Sequence, residues 1–128
     1  MNYQNDNYLL SAETSVIIGI AMEVHRTLGR GFSEIVYKDA MEYEMNEKHI
    51  EYKREKEFLI KYKKVILPHK FFADFVVFDA VILEIKAQKG IVEEHYAQTI
   101  NYLAASKCKV GLILNFGEAS LIFKRVIL

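Results

Sequence analysis

The chain has 128 residues, which is the length of one domain and enough to bury a core without disulfide or metal support. Hydrophobic residues make up 52% and charged residues 27%, a balance typical of folded proteins that excludes an intrinsically disordered chain. The 17 basic and 17 acidic side chains cancel to a formal net charge of +0, so attraction to nucleic acid would need a local basic patch.

The start of the chain is polar, and residues 1–10 are expected to form a short flexible N-terminus ahead of a single domain at residues 11–128. The sequence shows neither the features of a signal peptide nor the run of ~20 apolar residues that a membrane span needs. A single cysteine, Cys108, excludes an internal disulfide and favours a reducing compartment. We therefore expect a cytoplasmic protein with no membrane partner.

Two helices are predicted first. Apolar residues at helical spacing indicate a helix that begins at Ser11, a candidate capping residue, and ends before Gly29. Ser33 is a candidate cap for a second helix, which runs from about Glu34 to Glu47.

From residue 57 onward the pattern changes to the alternation typical of strands. Pro68 marks a turn or an edge position. A helix separates the third and fourth strands, so these two strands are expected to be parallel. The fold class is therefore α/β, with a mixed sheet of about five strands flanked by helices. Strands are predicted at residues 57–62, 71–78, 81–87, 110–114 and 121–127, and the helix at 93–107.

Charged residues interrupt two apolar strands in the middle of the chain. Asp74 lies within the first of these strands, and Glu84 and Lys86 lie in the second, two positions apart and so on one face. A buried carboxylate is costly unless it is paired or binds a metal ion. Two carboxylates suit Mg²⁺ or Mn²⁺, which activates water and neutralises charge that develops on a phosphate, and the lysine can stabilise the transition state. The ordinary alternative is that Glu84 and Lys86 form an ion pair on a solvated face.

The loop between these strands decides whether the two carboxylates can share a metal ion. A plain two-residue loop at residues 79–80 would pair Asp74 with Ile85 and put the carboxylates on opposite faces. We therefore predict an odd-length loop or a β-bulge between Asp74 and Glu84.

Two other segments carry candidate site residues. Gln98 and Tyr102 are four apart and share a helix face, which predicts either a solvated stripe or the border of a cleft beside Glu84 and Lys86. Glu34 falls in the first turn of the second helix, where it complements the helix dipole on the simplest interpretation.

Taken together, the segments resemble a known family, the GxxExxY proteins, a branch of the PD-(D/E)XK nuclease superfamily. The naming motif stands here as Gly31, Glu34 and Tyr37, and residues 24–29 resemble the family's usual lead-in. The resemblance extends over nearly the whole chain, from Ser11 to Leu128.

The superfamily's signature of an acidic residue followed by acidic-x-Lys matches Asp74, Glu84 and Lys86. Gln98 and Tyr102 are similar to the glutamine–tyrosine helix motif of recombination-type nucleases. The resemblance implies a restriction-endonuclease-like core and phosphodiester hydrolysis with Mg²⁺ or Mn²⁺. Asp74 and Glu84 would hold the metal ion, and Lys86 would assist catalysis.

The same resemblance implies that Glu34 is an added acidic ligand or positions water. The expected partner is DNA or RNA, and a homodimer or a complex with a partner protein stays open. The alternative function is a catalytically silent module that keeps the nuclease fold and binds nucleic acid or a partner protein.

Overall fold

A computed structural model describes residues 9–128. The expectation of a flexible segment at residues 1–10 therefore lies mostly outside the described residues. None of the helices within residues 9–128 is both long and apolar enough to cross a membrane.

Three helices form where the apolar spacing predicts them. Neither serine caps a helix through its side chain: Ser11 is already helical, with Leu10 preceding it, and Ser33 makes no side-chain capping bond. The predicted cap at Ser11 is therefore wrong, whereas Ser33 does occupy the capping position of the second helix, and the helix bounds agree with prediction. The helices are α1 (Ser11–Leu28), α2 (Glu34–Glu47) and α3 (Glu93–Ser106).

Five strands form one mixed sheet in sequential order. β3 and β4 are parallel, as the intervening helix predicts, and the other neighbouring pairs are antiparallel. The first two strands begin earlier and are longer than predicted. The strands are β1 (Tyr52–Tyr62), β2 (Val65–Val77), β3 (Val81–Lys86), β4 (Val110–Asn115) and β5 (Ile122–Ile127).

The two faces of the sheet bury different helices. α1 and α2 pack on one face, where Tyr37, Phe75 and Leu83 are fully buried. α3 packs on the other face through Tyr102 and Leu103, next to neighbours such as Ile82. Because side chains alternate along a strand, Glu84 and Lys86 share the face of Ile82, which is the face that α3 covers.

Candidate active site

The β2–β3 hairpin brings the two predicted carboxylates together. Val77 pairs with Val81, which leaves a loop of three residues between β2 and β3. The same register, continued outward, places Asp74 opposite Glu84. The predicted odd-length loop is therefore confirmed, and the two-residue hairpin that would have separated the carboxylates does not form.

Next to the paired residues of β2 and β3, carboxylate oxygens take the place of backbone carbonyls as acceptors of the hydrogen bonds between the strands. The backbone N–H of Asp74 donates to Oε2 of Glu84 at 3.0 Å, and the backbone N–H of Ile85 donates to Oδ2 of Asp74 at 2.8 Å. Asp74 is 9% exposed and Glu84 is 3% exposed. Each carboxylate is thus fixed by a backbone donor of the other strand.

Burial and mutual repulsion strongly perturb the Glu84 carboxyl. Its pKa rises to about 8, first because burial disfavours the charged form and second because the charge of Asp74 is close. Lys86 and Lys38 oppose this shift but do not cancel it. The pair therefore lacks enough positive charge nearby to keep both carboxyls ionised at neutral pH.

Lys38 of α2 is a neighbour that the sequence analysis did not identify. Its Nζ lies 2.7 Å from Oδ1 of Asp74 and 3.1 Å from Oε2 of Glu55. Burial opposes the charge on Lys38, but hydrogen bonds to Asp74 and Glu55 outweigh it and hold the lysine pKa above its usual value. The signal was present: Lys38 follows Glu34 by four residues and so shares its helix face.

Lys86 lies at the end of β3, where it contacts α3. Its Nζ donates to Oε1 of Gln98 at 3.3 Å. The close approach of α3 depends on Gly111 of β4, because a Cβ there would lie 2.7 Å from Cγ2 of Thr99. Gln98 therefore borders the same site as Lys86, as the cleft interpretation predicts.

Tyr102 is buried beside the acidic pair. Its pKa rises to about 12, because burial and then the charges of Glu84 and Asp74 disfavour a phenolate. Its ring makes an edge contact with Phe71, with centroids 6.0 Å apart. Tyr102 is therefore a neutral side chain with a protonated hydroxyl, and the solvated-stripe alternative is wrong for this residue.

Asn115 anchors the segment that follows Lys86. The backbone N–H of Phe116 donates to the carbonyl of Lys86 at 2.8 Å. The amide of Asn115 accepts from the N–H of Gln88 at 3.1 Å and donates to its carbonyl at 2.8 Å. Gly117 passes so close that a Cβ would lie 2.3 Å from the nitrogen of Gln88. These contacts fix the backbone that carries Lys86.

Glu34 lies in the first turn of α2 and is half-buried. Tyr37 helps to fix this end of α2, since its buried hydroxyl donates to the carbonyl of Gly29 at 2.6 Å. The charge of Glu34 acts on His95 at the start of α3, where burial and Lys86 nevertheless hold the histidine pKa below its usual value. Glu34 thus borders the site from the opposite helix.

The acidic pair fits a hard divalent cation. Magnesium is commonly held by one or two carboxylates, and its other ligands are waters and substrate phosphates. Asp74 and Glu84 supply two carboxylates whose backbone contacts already fix their orientation. Within residues 9–128, no three His, Cys, Asp or Glu side chains group closely enough to hold a metal ion. The assignment of Glu34 as a further ligand stays a prediction.

The raised pKa of Glu84 predicts that the metal-free protein loses stability as pH rises. Between the ordinary value of 4.5 and the folded value of about 8, the folded state binds a proton that the unfolded state has released. This contribution to stability is fully present below 4.5 and is lost as pH rises through about 8. Thermal unfolding in EDTA should show a falling Tm across this range.

The variant Glu84→Gln should flatten that fall, because a glutamine stays neutral at every pH. The exposed Glu47→Gln serves as the matched control and should keep the wild-type pH dependence. An unchanged pH dependence in Glu84→Gln would contradict the assigned ionisation.

The fold and the site define an α/β domain with two buried carboxylates and a lysine on adjoining strands. Residues 11–126 match the sequence model of the PD-(D/E)XK nuclease superfamily, and the chain belongs to that superfamily. The narrower resemblance to GxxExxY proteins stays a prediction. No curated protein matches the chain.

A solved structure titled "Crystal structure of SSO0001" has the same fold. It is 18% identical, and the superposition has a TM-score of 0.59 over 72% of this chain. This chain spans about half of that protein's length, 48%. This likeness shows a shared fold alone, and the restriction-endonuclease-like class rests on the family match together with the five-stranded mixed sheet.

Proposed function

We propose that the chain is a divalent-metal-dependent nuclease that hydrolyses phosphodiester bonds of DNA or RNA, with Mg²⁺ or Mn²⁺ as cofactor. The observation that carries this proposal is the pair of buried carboxylates, Asp74 and Glu84, each held by a backbone donor of the neighbouring strand. Buried charged groups are usually paired or bound to a metal ion, and a divalent cation would neutralise both carboxylates.

Each neighbouring side chain has a role in this proposal. Asp74 and Glu84 would hold the cation, which when bound acts as a Lewis acid for phosphodiester hydrolysis. Lys86 would place its ammonium against the negative charge that develops on the phosphate. Gln98 orients Lys86 through the 3.3 Å contact, and the neutral hydroxyl of Tyr102 can donate a hydrogen bond.

Glu34 and His95 border the site from the starts of α2 and α3. Glu34 is not gathered with the acidic pair, so in this proposal it positions water or substrate and does not hold the cation. Its removal should affect metal affinity less than removal of either strand carboxylate.

A second function has one observation in its favour. Lys38 already neutralises Asp74 at 2.7 Å, so the fold can tolerate this carboxylate without a metal ion. A catalytically silent module that binds nucleic acid or a partner protein would use the same fold without cutting.

Metal binding separates the two functions. Isothermal titration with Mn²⁺ should give one binding event for the wild-type protein. Lys38→Met should bind Mn²⁺ at least ~10-fold more tightly. The reason is that a positive charge within ~4–6 Å stabilises a carboxylate by a factor of ~10 or more, and so competes with a metal ion for it. Lys38→Arg keeps the positive charge and should resemble the wild type. Absence of binding in both wild type and Lys38→Met would contradict the nuclease proposal.

A further inference from the structure

The β1–β2 hairpin extends beyond the rest of the sheet. β2 pairs with β3 only at residues 75–77, whereas it pairs with β1 from residue 77 to residue 65. Residues 58–73, called the arm here, therefore form a two-stranded ribbon next to the acidic pair. The base of the arm packs against α3 through Phe58 and Phe71.

The arm concentrates positive charge in a chain whose formal net charge is +0. It contains four lysines and no aspartate or glutamate. All four lysines are exposed, and the only ion pair recorded for them in the described part of the chain joins Lys70 to Glu57 at 3.4 Å. The lysines are Lys61, Lys63, Lys64 and Lys70.

An exposed aromatic side chain lies among these lysines at the tip. Tyr62 is 55% exposed, and Nζ of Lys63 lies 5.5 Å from the centre of its ring. Lysines next to an exposed aromatic ring suit a polyanion that carries flat bases, because the cations contact phosphates and the ring stacks on a base.

A groove separates the arm from the C-terminal half of α3. Leu59, Lys61 and Phe71 line it from the arm, and Asn101 of α3 and Lys107, which follows that helix, line it from the other side. Asn101 lies three residues after Gln98 and so continues the same helix face away from the site. Two lysines, Lys61 and Lys107, therefore line a groove that begins beside the arm.

We propose that the arm binds the phosphate backbone of the nucleic acid and holds the substrate across the site. The proposal rests on the nuclease function for the identity of the polyanion, but binding by the arm does not need a metal ion or cleavage. DNA and RNA share the phosphodiester backbone, so both are used as probes.

The test measures binding in EDTA. Fluorescence anisotropy of labelled duplex DNA, single-stranded DNA and RNA is followed over a series of salt concentrations. The triple variant Lys61→Gln/Lys63→Gln/Lys64→Gln should bind at least ~10-fold more weakly than wild type for the preferred probe. Its slope of log K against log salt should be smaller by about two to three, because each lost phosphate contact removes ~0.7–0.9.

Two controls make this result specific. Lys48→Gln/Lys53→Gln/Lys124→Gln removes the same charge from exposed positions outside the arm and should leave the slope close to wild type. Lys61→Arg/Lys63→Arg/Lys64→Arg keeps the charge and should keep the affinity. Circular dichroism checks that each variant is folded.

Several outcomes would overturn the proposal. Equal losses of affinity in the arm and control triples would show that net charge, and not the arm, determines binding. If wild type binds no probe, the arm does not bind nucleic acid. If wild type forms a dimer that Val65→Ser/Ile66→Ser abolishes while nucleic-acid affinity stays unchanged, the exposed arm binds a second copy of the chain instead. If the arm triple cleaves nucleic acid as fast as wild type, the arm proposal is wrong and the nuclease proposal holds. If the arm binds nucleic acid but wild type does not cleave it, the nuclease proposal is wrong and binding by the arm holds.

Discussion

Replacing Glu84 by glutamine is expected to abolish metal binding and cleavage together. The substitution keeps the size of the side chain and an oxygen that can accept from the backbone N–H of Asp74, but it removes one of the two charges that attract a cation. We expect cleavage to fall by at least ~1000-fold, since stabilisation of transition-state charge is the largest contribution in sites of this kind. Asp74→Asn should have the same effect.

The control for this prediction is protein stability. In EDTA at pH 8, Glu84→Gln removes the repulsion between two buried carboxyls and should unfold at a Tm no lower than that of wild type. A loss of activity with an intact or raised Tm therefore marks a missing ligand. Retained Mn²⁺ affinity in Glu84→Gln, measured by titration, would contradict the shared metal site.

Replacing Lys86 by methionine is expected to separate binding from chemistry. The ammonium of Lys86 contacts Gln98 and is a cation, so it is not a metal ligand, and metal affinity should be preserved or rise slightly. Cleavage should fall by about 10²- to 10³-fold, which is typical for removal of one donor that stabilises a charged transition state. The rate constants are measured at saturating metal and substrate.

Lys89→Met provides the matched control for Lys86. Lys89 is exposed in the loop after β3, three positions further along, and its removal changes the net charge by the same amount. It should leave the cleavage rate near that of wild type. Equal losses of cleavage rate in both variants would show that the effect comes from net charge. Loss of metal binding in Lys86→Met would show that this lysine maintains the structure of the site.

Local pattern was enough to predict the element order and the crossover of the sheet. The odd loop between Asp74 and Glu84 was predicted from the requirement that the two carboxylates share a face, because the local pattern alone extended the strand to Phe78 and left a two-residue connection. The sequence did not predict the start of β1. Charged residues fill its exposed positions, so the segment from Tyr52 to Glu57 lacks the apolar signal of a strand.

The neighbours of the acidic pair were harder to predict than the pair itself. Lys38 reaches Asp74 across the fold, and no local pattern specifies which carboxylate a long side chain will contact. Glu34 was assigned to the site through family resemblance, and the structure places it at the border because α2 begins there. Ser11 is not a cap because Leu10 occupies that position, and Ser33 occupies it ahead of α2 without a side-chain bond.

The most direct measurement is cleavage of labelled single- and double-stranded DNA and RNA by purified wild-type protein, with Mg²⁺ or Mn²⁺ and with EDTA. Glu84→Gln, prepared in parallel, controls for a contaminating nuclease. We expect products that require the metal ion and that are absent with Glu84→Gln. No cleavage of any nucleic acid, or equal cleavage by Glu84→Gln, would contradict the assignment of an active nuclease and favour a silent binding module.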